Sequence, residues 1–95
     1  MSVYTIAVLE FTDEAAYRRY QAEFPAIFAR YEGRVVIADE APISLEGNII
    51  PDKIVVLEFP DAAASAKFAI DPDYVRISKD RKAGTKANVW LTQGR

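Results

Sequence analysis

The chain has 95 residues and a formal net charge of −2, with 12 Lys and Arg residues against 14 Asp and Glu residues. This length corresponds to one domain, residues 1–95. The balanced charge offers no broad electropositive surface for a phosphate backbone, so no nucleic acid partner is expected. Cysteine and histidine are absent, which excludes disulfides, thiolate sites, cysteine nucleophiles and histidine bases. We therefore expect no cofactor and no metal, although the carboxylates leave a magnesium or calcium site open.

The N-terminal residues Met1–Ile6 lack the basic region and the long apolar run of a signal peptide. No segment of the chain approaches the length of a transmembrane helix. We expect a cytoplasmic protein without a membrane partner.

Two segments have the composition of strands whose faces are both buried. Lys53–Phe59 is almost continuously apolar and β-favouring, and Val3–Phe11 shows little alternation of apolar and polar residues. Because a strand directs successive side chains to opposite faces, a strand with one solvated face should alternate. The pattern predicts that both strands are buried on two faces, and it identifies Lys53–Phe59 as a central strand.

A long amphipathic helix is predicted between these strands, from Ala15 to Tyr31. The run Thr12-Asp13-Glu14 supplies an N-cap candidate and acidic residues for the first turn, and an apolar stripe recurs at steps of three or four residues. Pro25 should kink the helix or split it in two, since proline removes a backbone donor. Gly33 is the predicted C-cap.

The other elements are predicted from apolar runs, caps and turn residues. They are a strand at Arg34–Ala38, a short edge strand at Ile43–Leu45, a turn at Glu46–Asn48, a helix at Ala62–Ile70 capped by Asp61, a helix from the Asp71 cap to Gly84, and a strand at Lys86–Thr92.

The order β-α-β-β-α-β predicts an α+β fold of the ferredoxin-like type, with an antiparallel sheet and its helices on one face. Those helices cover one side of the sheet only. The strands predicted at Val3–Phe11 and Lys53–Phe59, however, carry apolar residues on both sides. The other side would be an apolar surface larger than a soluble monomer usually exposes. We expect a homodimer in which a second copy packs sheet to sheet, forming a dimeric α+β barrel.

Five short motifs carry a family resemblance. They are Tyr17-x-x-Tyr20, Phe28-x-x-Tyr31-x-Gly33-Arg34, Leu45-Glu46-Gly47, Pro51-x-Lys53-x-Val55-Val56-x-Glu58-Phe59 and Asp71-Pro72-x-Tyr74. In this order they resemble the bacterial family named domain of unknown function 1330, over essentially the whole chain. The resemblance implies a ferredoxin-like fold and a dimeric α+β barrel. It implies no activity, although wider relatives of this barrel include cofactor-free oxygenases, small isomerases, dye-decolourising peroxidases and haem-degrading enzymes.

The chain departs from that family pattern at three places. Glu32 replaces a second glycine, Asp39-Glu40-Ala41 replaces an Arg-Gly-Gly turn, and an aromatic pair is reduced to Phe68-Ala69. The first two changes alter a loop near the expected cavity mouth, so the ligand preference is expected to differ from that of typical members.

Glu58 and Glu46 are the candidate catalytic residues. Glu58 lies in an otherwise apolar strand, where burial would raise its pKa and allow it to act as a general base. The alternative is a structural ion pair with Arg34, Arg81 or Lys53. Glu46 is either an acid over the cavity or an exposed turn residue beside Gly47.

The candidate ligand-binding residues are cations, aromatic residues and one amide: Lys53, Arg81, Tyr17, Tyr20, Asn88 and Trp90. Lys53 and Arg81 could hold an anionic group, although a cation in the last helical turn, like Arg81, is favoured anyway. The tyrosine stripe is more typical of a core than of a pocket, and Trp90 suits a core or interface anchor as well as a cavity wall.

Two functions are compatible with these features, and whether the protein is an enzyme stays open. The first is a homodimeric barrel that binds a small, largely apolar molecule between sheet and helices, with acid–base chemistry by Glu58 or Glu46. It requires one pocket that gathers Glu58, Lys53 and Arg81. The second is a non-catalytic structural or protein-interaction dimer.

Overall fold

The computed structural model describes all 95 residues as four strands and three helices. In chain order these are β1 (Val3–Phe11), α1 (Glu14–Phe28), β2 (Arg34–Asp39), β3 (Lys53–Phe59), α2 (Ala62–Ala69), α3 (Pro72–Gly84) and β4 (Thr85–Gln93).

The strands form one antiparallel sheet in the order β2-β3-β1-β4, with all three helices on one face. This is the expected ferredoxin-like α+β fold. Strand β3 is a central strand, as its apolar composition predicted, and β1 is the other central strand. The β1–β3 register pairs Val3 with Phe59 and Leu9 with Lys53. These four residues are buried, so the odd-numbered residues of both strands face the helices.

Helix α1 begins where its cap was predicted but ends earlier. The Asp13 side chain accepts a hydrogen bond from the amide of Ala16 at 3.3 Å. Of the two outcomes expected at Pro25, a kink or a split, the split does not occur, because α1 continues to Phe28 and the Ala29 amide donates to the Pro25 carbonyl at 3.0 Å. The prediction of Gly33 as C-cap is wrong: Ala29 is the C-cap. Gly33 instead allows close packing, since a Cβ there would lie 2.5 Å from the Phe28 ring.

The second half of the chain confirms both predicted aspartate caps. The Asp61 carboxylate accepts from the Ala64 amide at 2.8 Å, and the Asp71 carboxylate accepts from the Tyr74 amide at 2.9 Å. The predicted edge strand at Ile43–Leu45 is wrong, because this segment pairs with no strand and lies in an exposed loop. Gly47 in that loop has φ of +90°, which favours glycine.

The core lies between the sheet and the helices and is largely aromatic. The Phe59 ring packs edge-on against Phe28 at 5.8 Å between centroids, and Phe68 lies 5.1 Å from Phe28. Burying each such side chain contributes about 1.5–3 kcal/mol. This cluster attaches α1 and α2 to the C-terminal end of β3.

The opposite sheet face, which we call the open face, carries no helix. Its centre is formed by Ile6, which pairs with Val56 of β3 and with Trp90 of β4. Ile37 of β2 extends this apolar area, since it pairs with the other side of Val56. Trp90 is 55% exposed and Ile37 is 44% exposed. The sequence-based expectation of a second apolar sheet face is therefore confirmed.

Candidate functional site

A cavity of about 220 Å³ lies between the sheet and helices α1 and α3. Eleven of its 16 lining residues are hydrophobic, so it presents mainly apolar surface to a ligand. Its floor comes from the odd-numbered residues of the two central strands, and aromatic side chains of the helices form its roof. The lining residues include Ala7, Val55, Tyr17, Tyr20, Phe24 and Tyr74.

The helical tyrosines belong both to the core and to this cavity. Tyr17 and Tyr20 are buried, and their ring centroids lie 5.7 Å apart. Burial, with a smaller effect of the neighbouring Tyr74 phenol, raises the pKa of Tyr20. Tyr20 is therefore a neutral hydrogen-bonding group at physiological pH.

Lys53 and Arg81 are the only charged residues that line the cavity. The Lys53 Nζ lies 5.0 Å from the centroid of the Tyr17 ring, and the Arg81 guanidinium lies 5.9 Å from the centroid of the Tyr20 ring. Both are within the range of a cation–π interaction. The structure thus brings together four of the predicted ligand-binding residues, two cations and two tyrosines.

Glu40 binds one of these cations and was not predicted as a site residue. Its carboxylate accepts a hydrogen bond from Lys53 Nζ at 3.1 Å and two from the Arg18 guanidinium at 2.7 and 2.8 Å. Arg18, followed by Lys53, lowers the pKa of Glu40 to about 2. The only sequence signal was the replacement of a family glycine turn by Asp39-Glu40-Ala41. The partners Arg18 and Lys53 are adjacent to it only in the folded chain.

Glu58 lies on the open face, away from the cavity. Its carboxylate accepts a hydrogen bond from the Tyr4 hydroxyl at 2.7 Å and one from Arg34. Tyr4, followed by Arg34, lowers the pKa of Glu58, which is opposite to the shift that a general base in an apolar pocket requires.

The expectation that one pocket gathers Glu58, Lys53 and Arg81 is therefore wrong. Residues 53 and 58 differ in parity along β3, so their side chains project to opposite faces of the sheet. Of the three proposed cationic partners, only Arg34 contacts Glu58.

The remaining predicted site residues also lie outside the cavity. Glu46 is in the exposed loop between β2 and β3. Asn88 pairs with Val8 and Trp90 pairs with Ile6, which places both on the open face. The sequence showed that Asn88 and Trp90 lie on the same side of their strand, but it did not show which face of the sheet that side belongs to.

The structure contains no group of three or more carboxylates arranged to hold a metal ion. None of the three helices combines the length and the apolar character that crossing a bilayer requires.

The family assignment follows from a match over nearly the whole chain. The model of the family described as domain of unknown function, DUF1330, matches residues 2–95. The chain belongs to the DUF1330 family. This confirms the resemblance carried by the five motifs. No curated protein matches the sequence.

Solved structures with the same fold include one protein with an assigned activity. The chain is similar to a protein of unknown function from Rhodopseudomonas palustris, with 20% identity and a TM-score of 0.86 over 99% of this chain and 82% of that chain. It is similar to SnoaB, a cofactor-independent oxygenase from Streptomyces nogalater, with 17% identity and a TM-score of 0.70 over 99% and 93%. A dimeric ferredoxin-like protein of unknown function from Bacteroides fragilis has 11% identity and a TM-score of 0.67 over 98% and 96%. At these identities the likeness establishes the fold alone.

Proposed function

We propose that this DUF1330 protein binds a small, largely apolar molecule in the cavity between its sheet and its helices. The observation that carries the proposal is the cavity of about 220 Å³ with mainly hydrophobic lining. The interior of a domain of this size is ordinarily filled by side chains, because proteins pack as densely as organic crystals. A cavity bounded by aromatic rings and by two cations is suited to a ligand.

The volume suits a ligand of about one substituted ring. A dry cavity of about 150 Å³ accommodates benzene, whereas pockets for drug-sized ligands measure about 300–1,000 Å³. The value of 220 Å³ lies between these two cases. Tyr17, Tyr20, Phe24 and Tyr74 would contact the faces and edges of such a ring.

No carboxylate base lies in the cavity. Glu58 is held on the other face by Tyr4 and Arg34, Glu46 is in an exposed loop, and no Asp or Glu lines the cavity. Binding is therefore better supported than acid–base chemistry by these two residues. The solved structures that share this fold include a cofactor-independent oxygenase.

We further propose that two copies associate through their open faces. Ile6, Ile37, Val56 and Trp90 form an apolar centre, and charged residues such as Arg34 and Glu58 lie at its edge. An apolar centre with a polar rim is typical of an interface. The neighbour from B. fragilis is dimeric, which supports self-association.

A thermal-shift measurement with single-ring probes tests the binding proposal. Benzamide, phenol and benzoate at millimolar concentration should raise the melting temperature of the wild-type protein, since a ligand of the native state stabilises it by mass action. Ala7→Leu places a larger side chain in the cavity floor and should abolish the increase.

Ala66→Leu is the matched control, because Ala66 is exposed on α2 and does not line the cavity. This variant should respond to the probes like the wild type. Equal responses of Ala7→Leu and Ala66→Leu would place binding elsewhere and contradict the proposal. No response of the wild-type protein to any probe would favour the alternative, a dimer whose polar residues are only structural.

A further inference from the structure

The two cations that line the cavity differ in how their charges are compensated. Lys53 belongs to a network in which Arg18 and Lys53 contact Glu40, and Arg18 Nε also lies 3.6 Å from Glu14. The network contains two positive and two negative groups and is therefore neutral. Lys53 is 4% exposed, and a buried ammonium needs such a partner because an unpaired charge is costly to bury.

Arg81 has no such partner. It is half-buried and lines the cavity, yet it forms none of the ion pairs in the protein. The adjacent carboxylate on α3, Asp80, lies 3.2 Å from Arg19 instead. The guanidinium of Arg81 rests near the Tyr20 ring, and its five N–H donors form no hydrogen bond to a protein acceptor.

The position of Arg81 near the end of α3 does not by itself account for this arrangement. A cation there could compensate the unpaired carbonyls of the last turn. Two of these carbonyls, however, already have partners: the Arg81 carbonyl accepts a hydrogen bond from the Thr85 hydroxyl at 2.7 Å, and the Gly84 carbonyl accepts hydrogen bonds from the Thr12 and Asp13 amides. Lys82 is equally close to the helix end but is exposed and lies outside the cavity. Arg81 is therefore the one cation that lines the apolar cavity and has no ion-pair partner.

We propose, on the basis of the binding function above, that the ligand is a monocarboxylate with a single ring, and that Arg81 rather than Lys53 binds its carboxylate. The planar guanidinium matches a carboxylate through two parallel hydrogen bonds. One uncompensated positive charge calls for one negative charge on the ligand. The aromatic lining and the volume of the cavity call for a single ring attached to it.

Titration of two nearly isosteric probes tests the proposal. Benzoate and benzamide share a ring and a planar head group but differ in charge, and isothermal titration calorimetry measures the affinity of each. Wild type should bind benzoate more tightly than benzamide, and added salt should weaken only benzoate. Arg81→Gln should weaken benzoate by about tenfold to a hundredfold, as expected for lost charged hydrogen bonds, and leave benzamide within about twofold. Lys82→Gln removes the same charge outside the cavity and should change neither affinity.

Two further variants separate the possible results. Arg81→Lys retains the charge without the fork, and it should weaken benzoate less than Arg81→Gln does. Glu40→Gln frees Lys53 and should strengthen benzoate binding. In the double variant Glu40→Gln/Arg81→Gln, the loss of Arg81 should still weaken benzoate binding. Melting temperatures and circular dichroism of the unliganded variants establish that they are folded.

Equal affinities of wild type for benzoate and benzamide, or an Arg81→Gln protein that binds benzoate normally, would overturn the monocarboxylate proposal and leave cavity binding intact. A benzoate affinity of wild type that does not change with salt would overturn it as well, without any variant. If wild type binds neither probe, the binding function fails and this proposal fails with it.

Discussion

The hydroxyl of Tyr4 donates a hydrogen bond of 2.7 Å to the carboxylate of Glu58, across the pairing of β1 with β3. Arg34 of β2 contacts the same carboxylate from the other side. Three neighbouring strands therefore meet at one acidic group on the open face. This group, which the sequence marked as the best candidate base, connects strands at the edge of the proposed interface.

Glu58→Gln should lower the stability of the protein and leave probe binding in the cavity unchanged. The pKa of Glu58 is lowered in the folded state, so its contribution is present above the unfolded pKa of about 4.3 and is lost as pH falls through the lower folded pKa. Urea unfolding of wild type and Glu58→Gln should differ most near pH 7, and the difference should shrink as the pH falls below the unfolded pKa. Glu32→Gln, an exposed carboxylate without an ion-pair partner, is the control and should match wild type. A Glu58→Gln protein that loses benzamide binding would contradict the separation of the two faces.

Glu40→Gln should destabilise the protein by about 1–2 kcal/mol. Breaking a fully buried ion pair costs about 3–5 kcal/mol, but the Glu40 side chain is 38% exposed and solvent screens it. Because the folded pKa of Glu40 is about 2, this contribution should persist down to about pH 4 and decline between pH 4 and pH 2. Urea unfolding at several pH values measures it. Glu46→Gln, in the same loop and without an ion-pair partner, should have no such effect; an equal loss in both variants would refute the network.

Gly84→Ala should be strongly destabilising for a steric reason. A Cβ at residue 84 would lie 2.6 Å from the carbonyl oxygen of Asp13 and 2.7 Å from the amide nitrogen of Tyr17. The Gly84 carbonyl also accepts hydrogen bonds from the amides of Thr12 and Asp13. Overpacking of this kind costs about 1–3 kcal/mol, and here the contacted atoms are backbone.

Gly47→Ala provides the comparison for Gly84→Ala. Its Cβ would meet no atom within 4 Å, so only its φ of +90° is unfavourable, at roughly 1 kcal/mol. Thermal unfolding should show the larger loss for Gly84→Ala. The reverse order would indicate that α1 and α3 separate easily at this point.

Ile6→Glu should dissociate the proposed dimer. Ile6 lies at the centre of the open face between Val56 and Trp90, and a carboxylate there would be buried without a partner in a sheet-to-sheet interface. Light scattering at micromolar concentration should give a dimer mass for wild type and a monomer mass for Ile6→Glu. Val75→Glu, on the exposed surface of α3, should remain dimeric. A monomeric wild-type protein would refute the interface.

The sequence alone determined the order of the four sheet strands and the main helices, and with it the fold. Cap residues such as Asp61 and Asp71 are local signals, because a side-chain oxygen there bonds to an amide three residues away. The continuous apolar composition of Lys53–Phe59 likewise identified a central strand, because burial on both faces removes the alternation. The motif order identified the family over residues 2–95.

Only the tertiary structure decided which residues share a site. The parity of β3 separated Lys53 from Glu58, but the sequence did not show which parity faced the helices. That choice is fixed by packing of the Phe59 ring against Phe28 and Phe68. The role of Glu40 depended on Arg18 and Lys53, which approach it from other elements. Charge compensation is a property of neighbours in space, so the difference between Lys53 and Arg81 could be read only from the folded chain.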